Sequence, residues 1–83
     1  MNTNTTVSTA AVTALVAEIY KLYLVKEAKS LGLNVTVLTP TAAIEARIGS
    51  AEYLRIGSGA GTRARLDSEK ERIRREVIRF INR

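Results

Sequence analysis

Residues 7–31 dominate what this chain can become. Val12, Leu15, Val16, Ile19, Leu22 and Tyr23 recur at helical spacing and share one face of a helix. The opposite side carries Ala10, Ala14, Ala17, Leu24, Val25 and Ala28, which is small and mostly apolar as well. A helix that is apolar nearly all round is a buried helix. In a chain of 83 residues little else remains to surround it. A domain of this size buries only ~60–65% of its unfolded surface and is marginal alone. Four aromatics, Tyr20, Tyr23, Tyr53 and Phe80, leave the core to Ala, Val, Ile and Leu. There is no Cys and no His, so disulfides and the usual zinc ligands do not supply the missing stability. Oligomerisation does, and the small-residue side of the helix lets a second helix approach closely. The first expected partner is therefore the chain itself.

Two other fates for the apolar segment are weaker. The stretch from Val7 to Val25 approaches the length of a membrane span, yet it contains Ser8, Thr9, Thr13, Glu18 and Lys21, and its Ala content lowers its hydropathy. A membrane partner is not expected. The start, MNTNTTVSTA, lacks the positive region of a signal peptide.

The rest of the chain divides into short elements of a single domain, with residues 1–6 as a polar arm and residues 7–31 as the apolar helix. Gly32 is a good helix stop. Residues 33–39, LNVTVLT, alternate and are β-branched, so they read as a short strand or extended connector. Thr39 and Pro40 suit the N-cap and first position of a second helix over residues 40–56, with Gly49 weakening its middle. Residues 57–66 form a Gly-rich turn or the tip of a hairpin. Ser68 and Glu71 have capping-box spacing, which starts a basic helix over residues 68–82. Ile73, Val77, Phe80 and Ile81 form its apolar stripe. The expected fold is mainly α, with short β or extended segments.

Charge is uneven along this chain. Of a net +5, residues 1–62 carry five positive and four negative charges, and residues 63–83 carry eight and four. The asymmetry points to an anionic partner at the C-terminal end. Arg72, Arg75, Arg79 and Arg83 fall at i, i+3, i+7 and i+11, which is one narrow helix face away from the apolar stripe. Arg63 and Arg65 lie just upstream. Guanidinium groups donate paired hydrogen bonds to phosphates, so these six residues are the candidate DNA-phosphate contacts. No aromatics interleave with them, which favours backbone contact over base stacking. The same pattern also suits a solvated helix face, with Glu71 pairing Arg75, and Glu76 pairing Arg72 and Arg79.

Other motifs are less specific. Gly57-Ser58-Gly59-Ala60-Gly61 lacks the spacing of a P-loop and reads as a tight turn. Asn4 and Asn34 each begin an N-glycosylation sequon and are candidate glycan sites. No nucleophile has an evident base, so neither an enzyme, a small-molecule substrate nor a cofactor is expected. The four Glu of residues 1–62 read as surface or ion-pair residues. Absence of Cys and Trp with a single Met suits a hot or oxidising environment.

The hydrophobic AAVTALVAEIYKLYLV helix, the small-residue linkers and the basic RIRREVIRFINR end together resemble the major coat proteins of rod-shaped, clavavirus-like archaeal viruses. That resemblance implies helical symmetry, a helical shell around double-stranded DNA, and glycosylated subunits. Residues 43–48, AIEARI, are also similar to a segment of the gas-vesicle shell protein, a family that the Arg-rich C-terminal end does not suit. The resulting expectation is a structural coat subunit of a virion, self-assembling through its apolar helices with Arg facing DNA. The alternative is a small cytoplasmic DNA-binding dimer of winged-helix type, with residues 53–66 as the wing.

Overall fold

The computed structural model describes residues 8–57 and 61–82. It is built from three helices, α1 (Thr9–Ser30), α2 (Thr41–Ile56) and α3 (Thr62–Ile81). The fold is mainly α as expected, and no strand is present among the described residues.

The core lies along a single row of α1. Val16, Tyr20, Leu24 and Ala28 step by four residues and are all buried. Ile44 and Ile48 of α2 meet this row, as do Leu66, Ile73 and Val77 of α3 and Val35 of the connector. α3 runs back along α1. Val12 near the start of α1 shares a depression with Ile78 and Ile81 near the end of α3. At the opposite end Arg65 of α3 reaches Tyr23 and Glu27 of α1.

This arrangement corrects the expected core face of α1. Of the six residues on that face only Val16 is fully buried, while Leu15, Ile19 and Leu22 are 39%, 37% and 59% exposed. The helix has apolar residues on several sides, and spacing alone does not choose among them. Tyr20 decides the matter, because its ring fills the core while its hydroxyl donates to Glu45 of α2 at 2.6 Å. Of the small-residue side, Leu24, Val25 and Ala28 are buried, and Ala10, Ala14 and Ala17 remain exposed.

The helix ends follow from local chemistry. Ser8 caps α1, its hydroxyl accepting from the Ala11 amide at 3.1 Å. At the other end Leu33 N–H donates to Ala28 C=O and Gly32 N–H to Lys29 C=O. This is a Schellman motif, and it holds Gly32 at φ +81°. α2 begins one residue later than expected. Pro40 is its N-cap, and Thr39 serves the connector instead, its hydroxyl accepting from the Thr36 amide. Residues 33–36 have no regular secondary structure and residues 37–39 turn, with Leu38 N–H donating to the Thr36 hydroxyl. The strand reading fails here because no second strand is present among the described residues to complete a ladder.

The hairpin reading of residues 57–66 is also overturned. α2 continues to Ile56 and stops at Gly57, whose φ is +76°. α3 starts at Thr62, well before Ser68. Ser68 lies inside the helix because Thr62, Leu66, Ile73 and Val77 form one buried stripe running past it. No wing is therefore formed by residues 53–57 and 61–66. Residues 58–60 lie outside the described residues.

Candidate nucleic-acid interface

The Arg residues near and along α3 fall into two groups. The first group is paired with carboxylates, Arg63 at the surface and Arg65 half-buried between the helices. Arg63 contacts Glu45 of α2 at 3.2 Å and Asp67 one turn on at 3.3 Å. Arg65 donates to Glu52 of α2 at 2.7 Å, to the Tyr23 hydroxyl at 3.0 Å and to Glu27 of α1 at 3.4 Å. Arg65 thus ties all three helices together. The second carboxylate oxygen of Glu52 accepts from the Thr62 hydroxyl at 2.7 Å, which fixes the start of α3.

These contacts set the protonation of the cluster. Partial burial works against ionisation of Glu45, but hydrogen bonds from Tyr20 and Arg63, and the positive charges of Arg63 and Lys70, hold its pKa below the ordinary value. Burial raises the Tyr20 hydroxyl well above its ordinary range, and the Glu45 carboxylate raises it further. Tyr23 is raised by burial and by the charge of Glu27. Burial disfavours the Arg65 charge, yet Glu52, Tyr23 and Glu27 outweigh it and raise its pKa. Hydrogen bonds from its guanidinium to Glu45 and Asp67 raise that of Arg63. Lys70 adds a cation over the Tyr20 ring, 5.3 Å from its centroid.

The second group lies further along α3. Arg72 donates to Glu69 through Nε at 2.8 Å and also through Nη2. Arg75 and Arg79 are exposed, and neither makes a hydrogen bond or ion pair with the described residues. Pairing of Glu71 with Arg75, and of Glu76 with Arg72 and Arg79, is accordingly not formed among them. Exposed pairs of this kind gain little Coulomb energy and cost side-chain entropy. Arg74 is half-buried and likewise without such a partner among the described residues. Arg83 lies outside the described residues. Arg72, Arg75 and Arg79 thus share one face of α3 over roughly 10 Å of helix axis, while exposed Arg63 and half-buried Arg65 are engaged by carboxylates that include those of the other helices.

Sequence reasoning did not find the Glu27, Glu45 and Glu52 cluster as a unit. The only signal was the seven-residue spacing of Glu45 and Glu52, which puts both on one face of α2. Of the sequons, Asn34 is exposed on the connector, where its carbonyl accepts from Arg47 at 3.3 Å, and Asn4 lies outside the described residues. No group of acidic side chains suited to a metal ion occurs among the described residues. No helix there is long and apolar enough to cross a membrane. Comparison with protein families, with curated proteins and with solved structures finds no match.

Proposed function

We propose that this chain is a non-catalytic, structural coat subunit that assembles with copies of itself around double-stranded DNA in a rod-shaped virion. The observation that carries the reading is the division among the Arg residues. Arg63 and Arg65 are engaged in ion pairs that tie the helices together, whereas Arg75 and Arg79 are exposed on α3 with no carboxylate paired to them among the described residues. Guanidinium groups free of internal partners are available to phosphate oxygens, and their spacing along a helix suits a backbone rather than a base sequence. Self-assembly is supported by the apolar surface that the three helices leave uncovered. Leu22, Leu38, Leu54 and Phe80 are each more than half exposed, and Ala14 and Ala17 leave room for a neighbouring helix.

The test is electron microscopy of the purified protein with and without duplex DNA. Long regular particles that enclose the DNA are the expected result. Discrete dimers scattered on DNA would instead favour the small DNA-binding protein, and particles indifferent to DNA would remove the role given to α3.

A further inference from the structure

Val12, Leu15, Ile19 and Leu22 are spaced three, four and three residues apart, which is the repeat of a helix seam. α1 buries a different row in its own core, so this seam is left open at Leu15, Ile19 and Leu22, while Val12 packs partly against that core. Val12 is half-buried, and Leu15, Ile19 and Leu22 are 39%, 37% and 59% exposed. The seam is flanked at one end by Phe80 of α3, which lines a groove of about 440 Å³ with Leu15 and Ile19. At the other end it is flanked by Val37, beside Leu22.

We propose that this seam binds the same seam of a second copy, antiparallel, about a two-fold axis level with residue 17. The inference deepens the coat reading, on which it rests, by naming one subunit contact. The register follows from the residues. Counting in opposite directions about position 17 places Val12 against Leu22 of the second copy and Leu15 against its Ile19, so all four seam residues are matched. A parallel pair is disfavoured by charge. The next two seam positions are Lys26 and Lys29, which a parallel pair would stack against their own copies. The antiparallel pair sets Lys26 level with Ser8, the uncharged N-cap of the second copy's helix, so Lys26 no longer meets its own copy. Complete burial of the exposed parts of Leu15, Ile19, Leu22, Val37 and Phe80 on two copies removes at most roughly 900 Å², just short of the ~1,000 Å² total of a specific interface, so polar residues at the rim supply the remainder. A two-fold contact closes on itself, so a rod needs a second, different contact as well.

Cysteine cross-linking tests the register without background, because the chain has no Cys. Leu15→Cys and Ile19→Cys are prepared separately, then oxidised alone and mixed. The expected result is a disulfide-linked dimer in the mixture, at least several-fold more than with either variant alone. Same-residue cross-links would indicate a parallel seam, and no cross-link would indicate no seam. Either overturns the proposal. Leu22→Lys supplies the second measurement, since its exposed site leaves the helical circular dichroism unchanged. Self-association by sedimentation equilibrium should weaken at least tenfold, and unchanged association would overturn the proposal. Rods that form without the 15–19 cross-link overturn the seam and leave the coat reading standing. A cross-linked dimer that never polymerises supports the seam and overturns the coat reading.

Discussion

Tyr20 has its ring in the core and its hydroxyl on Glu45, so one side chain links apolar packing to the ion pairs above it. Removing only the hydroxyl separates the two roles. In Tyr20→Phe the ring still fills its place, but Glu45 loses a hydrogen bond made to its charged form. The cost should be about 1.5–3 kcal/mol of unfolding free energy in a urea titration, with little change in the slope because the surface exposed is the same. The same pair predicts the pH dependence. Glu45 has a folded pKa below its ordinary 4.5, so its contribution is complete above that value and is lost as the pH falls through the folded one. Tyr20 is shifted the other way, so its contribution is complete below its ordinary 10.0 and is lost as the pH rises towards its folded value. Thermal melts across pH should therefore give a plateau between these limits that falls on both sides. Tyr20→Phe should lose the alkaline contribution of this hydroxyl. A wild-type curve with no acid limb would mean that Glu45 is not held by these partners.

A helix end and a helix interior offer a sharper comparison, because two glycines with equal space around them should respond in opposite directions. A methyl group added at Gly32 or at Gly49 would meet nothing within 4 Å. Gly32 sits at φ +81° in the stop after α1, and alanine there should destabilise by about 1 kcal/mol. Gly49 lies inside α2, and alanine there should stabilise by about 0.5–1 kcal/mol through helix propensity alone. Denaturant titration of the two variants reads both signs, and a shared sign would mean that packing rather than backbone governs these sites. Gly32 as the stop of the first helix was legible in the sequence, as was the second helix from about residue 40 to residue 56. The start of α3 was not. Ser68 and Glu71 satisfied a local capping pattern, while the signal that prevailed was the longer stripe of Leu66, Ile73 and Val77, whose burial against α1 outweighs one cap. Which row of α1 faces the core was also hidden, since nearly every row is apolar and only the Tyr20 hydroxyl distinguishes one from the rest. The Arg face of α3 was legible from spacing. The division between engaged and unengaged Arg depends on where Glu27, Glu45 and Glu52 come to lie, and that depends on how the three helices pack.

At the scale of the whole molecule the positive charge is not spread evenly over the surface. The ion pairs of Arg63 and Arg65 spend two guanidinium groups on cohesion, and the excess is left on the distal half of α3. A coat reading requires this excess to meet phosphate without regard to sequence. Binding should then depend strongly on salt and weakly on the duplex chosen, because each Arg contact releases counterions from the DNA. Arg75 and Arg79 are exposed and lie off the buried stripe of Leu66, Ile73 and Val77, so replacing both with Gln should leave the fold and its melting temperature unchanged. Each lost contact reduces the magnitude of the log–log salt slope by about 0.9, so the double variant should lose about 1.8 on duplex DNA. Arg65→Gln makes the opposite control. It should lower thermal stability by opening the tie between the helices while moving the salt slope less than the double variant does. Fluorescence anisotropy across a salt series, on two unrelated duplexes, measures all of these quantities together. A base-reading protein would instead lose discrimination at particular base pairs, by about 1–3 kcal/mol each. An unchanged slope in the Arg75→Gln, Arg79→Gln double variant would make this face of α3 a solvated surface and would remove the DNA-facing role proposed for it.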